Sequence, residues 1–254
     1  MSSYALVDST TMVRRNLLHL KRYPAMVFYM IVMPSIFLLI FRFVFGGALE
    51  KSSGGHYIDY LAPGMLLMVP ATIASSVAVS IAMDTTTGIV NRFRTMAISP
   101  GSFLTGHVVG ALIQGMLSVV FMIGVALLVG WRPHANPLEW VAALGLIAFT
   151  LLAIIWFSVA LGLLAPTPET ASNTPMPIML LPFFGSGLVA TDTMPAGLRQ
   201  FAEYQPFTPL TETMRGLLMG TEIGNNGILA LAWCTGITAV GYLWSKSVYR
   251  KQTR

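Results

Sequence analysis

The chain has 254 residues, 55% of them hydrophobic and only 10% charged, with a mean hydropathy of +0.70, whereas a soluble domain carries about 25% charged residues. So few charges cannot coat a water-exposed globule, which excludes a soluble enzyme domain and places the excess apolar surface against lipid. The net charge of +5 is distributed so unevenly that it speaks for membrane topology rather than nucleic-acid binding, and the single cysteine, Cys234, allows neither an intrachain disulfide nor a thiolate metal cage.

Residues 1–22 come first. At about 100° per residue, Leu6, Val13, Leu17 and Leu20 share one stripe, with Asp8, Thr11, Arg15, His19 and Arg22 opposite. This pattern predicts a helix lying in the membrane interface, where Arg14 and Lys21 flank the stripe and reach lipid phosphates. The alternative is a solvated basic flank that only enforces topology. No small-residue cleavage site follows an early apolar run, so the N-terminus is expected to be retained.

Six runs free of internal charge follow, each long enough for a helix that crosses the hydrocarbon core in roughly 20 residues. They cover residues 23–45 (extended past a snorkelling Arg42), 60–83, 103–131, 140–165, 170–191 and 223–245. None alternates with period two, so helices rather than barrel strands are expected, and the fold class is all-α integral membrane. An even number of spans puts both termini on one side. Ten of the fifteen Lys and Arg residues lie on that side, among them Arg14, Arg15, Lys21, Arg22, Arg92 and Arg94, so both termini are expected in the cytoplasm.

Three stretches between or within the spans carry further signals. Residues 84–100 are longer than a turn needs and set Ile89, Phe93 and Met96 on one helical face, with Arg92 and Arg94 on others. That suits a cytoplasmic helix docking into a partner groove, or equally a basic loop obeying the positive-inside rule. Pro175, Pro177 and Pro182 interrupt the fifth run, which suits a kinked or discontinuous helix near a cavity or equally a static kink filled by its neighbours, and Met179, Phe183 and Phe184 beside them are candidates for an apolar substrate path or for lipid-facing positions. Residues 192–222, punctuated by Pro195, Pro206 and Pro209, keep apolar residues at helical spacing and are expected to form short external helices lying back on the bundle, where Glu212 and Arg215 can pair.

Other chemistry is missing. No G-x-x-x-x-G-K-[ST] loop is present to cradle nucleotide phosphates, and no Asp, Glu, Lys or Arg sits inside an apolar core, where a proton- or sodium-driven carrier would place an ionisable group. His19, His56, His107 and His134 are too scattered for a metal site. Ser186, between Gly185 and Gly187, has no histidine after it to serve as base, so these small residues read as helix packing and no catalytic residue is assigned.

Two motifs then carry a resemblance. Asp84, Gly88 and the run N-R-F-R-T-M-A-I-S-P from Asn91 to Pro100, with Gly106, are similar to the first cytoplasmic loop of type-2 ABC exporter permeases, especially the daunorubicin-type drug exporter permeases. Met194-Pro195 and Y-Q-P-F-T-P-L-T-E-T-M-R-G-L-L from Tyr204 to Leu218 resemble the last external segment of the same family. The resemblance covers nearly the whole chain. This chain departs from the family pattern at Asn91, Ala97 and Pro100, where relatives tend to carry an acidic residue, a proline and a basic residue.

The resemblance implies a non-enzymatic permease subunit in a bacterial plasma membrane, which dimerises with a second permease copy and binds two copies of a separate ATP-binding subunit. ATP and Mg would sit on that subunit, and this chain would bind no cofactor or metal. Residues 84–100 would be the coupling helix, with Asp84, Gly88, Ile89, Arg92, Phe93, Arg94 and Met96 facing the ATPase. Pro195, Pro206, Pro209, Glu212 and Arg215 would shape an external gate. The cargo would be a lipophilic drug, antibiotic or lipid; a polysaccharide or lipid-linked glycan is the alternative, and an ATP-independent channel a more distant one.

Overall fold

A computed structural model of the chain describes residues 24–47, 57–87 and 100–252. Among these residues the structure is helical with no strand, as lipid demands of any span that is not a closed barrel. The predicted interfacial helix, with Arg14, Arg15, Lys21 and Arg22, lies outside the described residues, as do Gly88, Ile89, Arg92, Phe93, Arg94 and Met96.

Helix α1 covers Pro24–Ile40 and runs on as a π-helical turn, Phe41–Phe45. Then α2 (Tyr57–Leu66) and α3 (Met68–Thr86) form one span of 30 residues, interrupted only at Leu67. Pro70 explains the break. It has no N–H for an i−4 bond and its ring crowds the carbonyl of Leu66, so Leu67 donates instead to the Gly64 carbonyl at 3.1 Å.

Helix α4 (Pro100–Leu128) and helix α5 (Pro137–Leu164) are the two longest. The α5 start is written locally. Asn136 accepts from the Glu139 N–H at 2.9 Å, Glu139 accepts from the Asn136 N–H at 2.7 Å, and Pro137 takes the first position, where no donor is missed.

The fifth apolar run is not one helix. It is built from α6 (Pro168–Asn173), α7 (Met176–Leu180) and a 3-10 turn (Leu181–Phe184), before turns lead through Ser186. Pro175, Pro177 and Pro182 each remove a backbone donor within two turns, so no i→i−4 ladder can pass through. The discontinuous alternative is therefore the one adopted, and the single span expected over 170–191 is replaced by short pieces.

Helices α8 (Ala196–Tyr204) and α9 (Phe207–Met219) occupy the stretch read as short helices. Gly220, at φ 76°, ends α9 in the left-handed conformation that glycine adopts without strain. Helix α10 (Asn226–Gln252) closes the chain. Boundaries differ from the charge-free runs: α2, α4 and α5 begin three residues earlier and α10 ends seven residues later, extending into polar flanks, whereas α4 stops three residues short of 131 and α10 begins three residues after 223. The largest consequence concerns Asp84 and Pro100, expected inside a separate loop helix: Asp84 belongs to the last turns of α3 and Pro100 opens α4.

Four of these helical stretches are long and apolar enough to cross a membrane, at Tyr57–Thr86, Leu104–Leu128, Pro137–Leu164 and Asn226–Lys251, with Val32–Phe45 a shorter apolar helix. Helix α5 is the hub, packing most extensively on α10 and α3. Between α5 and α10 the backbones approach so closely that a Cβ on Gly241 would sit 2.6 Å from the Phe157 nitrogen. Small residues at such crossings supply the van der Waals contact that holds helices together in lipid, where apolar side chains gain nothing by leaving solvent. The outer faces of α4 and α10 carry exposed Leu117, Val120, Leu128, Ile228, Leu231 and Leu243.

A second close approach joins α2 to the turn after the 3-10 segment. A Cβ on Gly64 would lie 2.5 Å from both the Cα and the carbonyl oxygen of Gly187. Backbone cannot yield as a side-chain tip does, so Gly64→Ala is expected to destabilise the protein by about 1–3 kcal/mol, as overpacking does elsewhere. A thermal melt of the detergent-solubilised chain, read against Gly145→Ala, where a Cβ meets open space, checks this.

Candidate functional site

Among the described residues, buried polar side chains that join separate helices gather at two places, around Arg215 and around Asp84. The first ties α2, the turn at Ser186 and α9 together. Arg215, on α9, is buried to 6% exposure and its Nη1 donates to Glu212 Oε1 at 2.6 Å. Its Nη2 donates to two backbone carbonyls, Ser186 at 3.0 Å and Tyr60 at 3.2 Å, while Cζ lies 3.7 Å from the centre of the Tyr60 ring. The Tyr60 hydroxyl also donates to the Ser186 carbonyl, at 2.7 Å, and the Tyr57 hydroxyl donates to the Leu188 carbonyl at 2.9 Å. From the other side, the Ser186 N–H donates to Thr208 Oγ1 at 3.2 Å.

The reason for this arrangement is the broken fifth run. The Ser186 carbonyl, released where the fifth run stops being helical, has no place in a helical ladder, and in an apolar setting such an orphan costs several kcal/mol; the Tyr60 carbonyl lies within α2, which packs beside it. A guanidinium supplies several donors in a fixed fork and stacks on an aromatic ring, so one Arg satisfies two carbonyls and a carboxylate together. The Glu212–Arg215 pair expected on a surface is thus an anchor, its guanidinium buried with the Arg215 side chain 7% exposed and Glu212 28%. Pro206 caps the start of α9 and Pro209 is buried in its first turn, whereas Pro195 is exposed ahead of α8.

The second place is at the other end of the α2–α3 span. Asp84 Oδ2 and His107 Nε2 lie 3.0 Å apart, both buried, joining the end of α3 to the start of α4. Tyr60 and Asp84 are separated by about 36 Å along the helix axis at 1.5 Å per residue. The Asp84–His107 contact stands at the root of the segment between Thr87 and Pro100, which contains the expected coupling residues.

Met179, Phe183 and Phe184 are not brought to one spot. Met179 is half-buried; Phe183 packs edge-on against Phe37 of α1 at 5.7 Å; and Phe184 is exposed, near Phe201 at 6.4 Å. A cavity of about 160 Å³ does open beside this segment, but its walls take Ile178 and Leu181 instead, together with residues of α5, α9 and α10. Ser186 contributes its backbone to the Arg215 anchor, and no group of three or more potential metal-ligating side chains is found among the described residues.

Apolar helices around α5, with buried polar anchors toward the two ends of a long span, define a multi-pass helical membrane protein. The chain belongs to the ABC-2 type transporter family, whose model matches residues 9–219. It is similar over nearly its full length to a daunorubicin resistance ABC transporter permease protein, DrrB1, of Streptomyces coeruleorubidus, at 27% identity over 250 residues, covering 98% of this chain and 88% of that protein. It is also similar to the probable doxorubicin resistance ABC transporter permease protein DrrC of Mycobacterium tuberculosis, strains CDC 1551 / Oshkosh and H37Rv, at 21% identity over 213 residues, or 83% of this chain and 76% of each relative.

Proposed function

We propose that this chain is the membrane-spanning subunit of an ATP-driven exporter that moves a lipophilic, drug-like molecule outward across a bacterial plasma membrane. Two copies pair with two copies of a separate ATP-binding subunit, and both termini face the cytoplasm. The whole-length likeness to permeases named for daunorubicin and doxorubicin resistance carries this reading. Residues 84–100 are the coupling segment, receiving the closure of the ATPase dimer through Phe93 and its neighbours. The Asp84–His107 contact gives that segment a firm root, since a push on it is transmitted to α3 and α4 together. At the other end, Tyr60, Glu212 and Arg215 hold the outer gate closed between transport steps.

The test uses inverted membrane vesicles containing the chain with and without its ATP-binding subunit. ATP-dependent accumulation of daunorubicin is expected only when both are present; uphill movement by the chain alone overturns the reading. Phe93→Ala removes an apolar anchor of the kind that dominates interfaces. It is expected to leave ATP hydrolysis within about twofold of the parent while cutting accumulation at least tenfold, since losing more than 1.4 kcal/mol of coupling costs that factor. Parallel measurement of phosphate release and uptake checks it.

A further inference from the structure

The cavity beside the broken fifth run belongs to neither polar anchor. Its volume is about 160 Å³, and it lies between Ile178 of α7, Thr150, Ile154 and Phe157 of α5, Phe207 of α9, and Cys234 of α10. Two polar atoms stand near its wall, and both are engaged: Thr150 Oγ1 donates to the Leu146 carbonyl at 2.9 Å and lies 3.6 Å from Cys234 Sγ. The accessible wall is therefore apolar throughout, with no group left to hold water. A dry apolar cavity of about 150 Å³ accepts a benzene-sized molecule. The phenyl faces of Phe157 and Phe207 favour an aromatic guest, which gains edge or offset contacts beyond simple burial.

Its position connects it to the gate. Phe207 forms part of the wall, and the next residue, Thr208, accepts from the Ser186 N–H at the Arg215 anchor. A guest that displaces Phe207 therefore acts on the turn that Arg215 holds.

We propose that this cavity is a binding subsite for an uncharged aromatic ring of the exported molecule. The remainder of that molecule stays outside, since the volume admits one ring and a membrane-lipid tail of ordinary length overruns it. This rests on the export reading above and deepens it.

The experiment uses the permease with its ATP-binding subunit in nanodiscs and a probe of one ring, 3-(trifluoromethyl)-3-phenyldiazirine. After photolysis, adducts are mapped by peptide mass spectrometry. Leu117 and Val120, exposed on the outer face of α4, provide the internal reference for probe dissolved in the bilayer. Labelling at Phe157, Ile178 or Cys234 is expected to fall at least fivefold with saturating daunorubicin, while labelling at Leu117 and Val120 stays constant. Ala153→Leu, which fills the cavity from a buried wall position, is expected to abolish the competed fraction and to raise the KM for export at least fivefold with a smaller change in kcat. Labelling of the cavity residues that tracks Leu117 and Val120 and ignores daunorubicin overturns the proposal, because the occupant is then lipid. The wild-type competition decides the matter even if the filled variant folds poorly. Vesicle export judges the wider reading separately: competition without export sinks export and leaves the subsite, whereas export without competition sinks the subsite alone.

Discussion

Arg215→Ala is expected to lower stability by about 2–5 kcal/mol and to abolish ATP-dependent export. The magnitude follows from what the substitution strands. The Ser186 and Tyr60 carbonyls each lose a charge-assisted donor, and the half-buried Glu212 carboxylate loses its countercharge. Truncating one member of a buried charged pair costs about 3–5 kcal/mol, far above the 0–1 kcal/mol typical of a surface pair. Two observations soften the loss: the Tyr60 hydroxyl still donates to the Ser186 carbonyl, and Glu212 keeps 28% of its side chain exposed. Arg215→Lys is the discriminating variant. An ammonium keeps the charge but lacks the planar fork that serves Glu212 and two carbonyls while stacking on the Tyr60 ring. It is expected to recover less than half of the lost stability. Thermal melts of the solubilised complex, with vesicle uptake in parallel, provide both readings; a lysine variant with parental melting temperature and uptake defeats the anchoring argument.

The same anchor shows where sequence reasoning reaches and where it stops. Asn136, Pro137 and Glu139 announce the start of α5 because capping is a contact among neighbours, and the prolines at 175, 177 and 182 announce the break because each removes its own donor. The Glu212–Arg215 pair is legible for the same reason, being three residues apart. Its burial is not. That depends on Tyr60 and Ser186, 155 and 29 residues away, which contribute mainly backbone carbonyls that every residue possesses. Tyr60 looks like an ordinary interfacial aromatic, and Ser186 like a small packing residue between glycines.

The Asp84–His107 contact was hidden differently. Each residue sits at the end of an apolar run, where a charge signals a boundary, and no local pattern links positions 23 apart across a connecting segment. One hint was available: both helices meet at that segment, so their last and first turns must lie near each other. The cavity was legible only as proline-induced irregularity. Choosing Met179, Phe183 and Phe184 as its walls required knowing which way a broken helix turns its side chains, and Ile178 and Leu181 line it instead.

Asp84→Ala is expected to remove about 2–3 kcal/mol of stability and, more tellingly, to separate ATP hydrolysis from transport. With both partners buried, at 8% and 7% exposure, the deletion removes the 3.0 Å contact to His107 Nε2, and a buried hydrogen bond to an ionisable group contributes on the order of this amount. His107→Ala removes the same contact from the other side, so the double variant should lose at least about 1 kcal/mol less than the two single losses added together, the signature of residues in direct contact. The functional consequence follows from position. On the coupling role proposed for residues 84–100, the contact lets α3 and α4 take up a displacement together, and its loss lets one helix lag behind the other. ATP turnover in the complex is therefore expected to stay near the parental rate while daunorubicin accumulation falls at least fivefold. Strictly additive stability losses, or hydrolysis and uptake falling in proportion, would show that the two side chains only fill space at a helix junction.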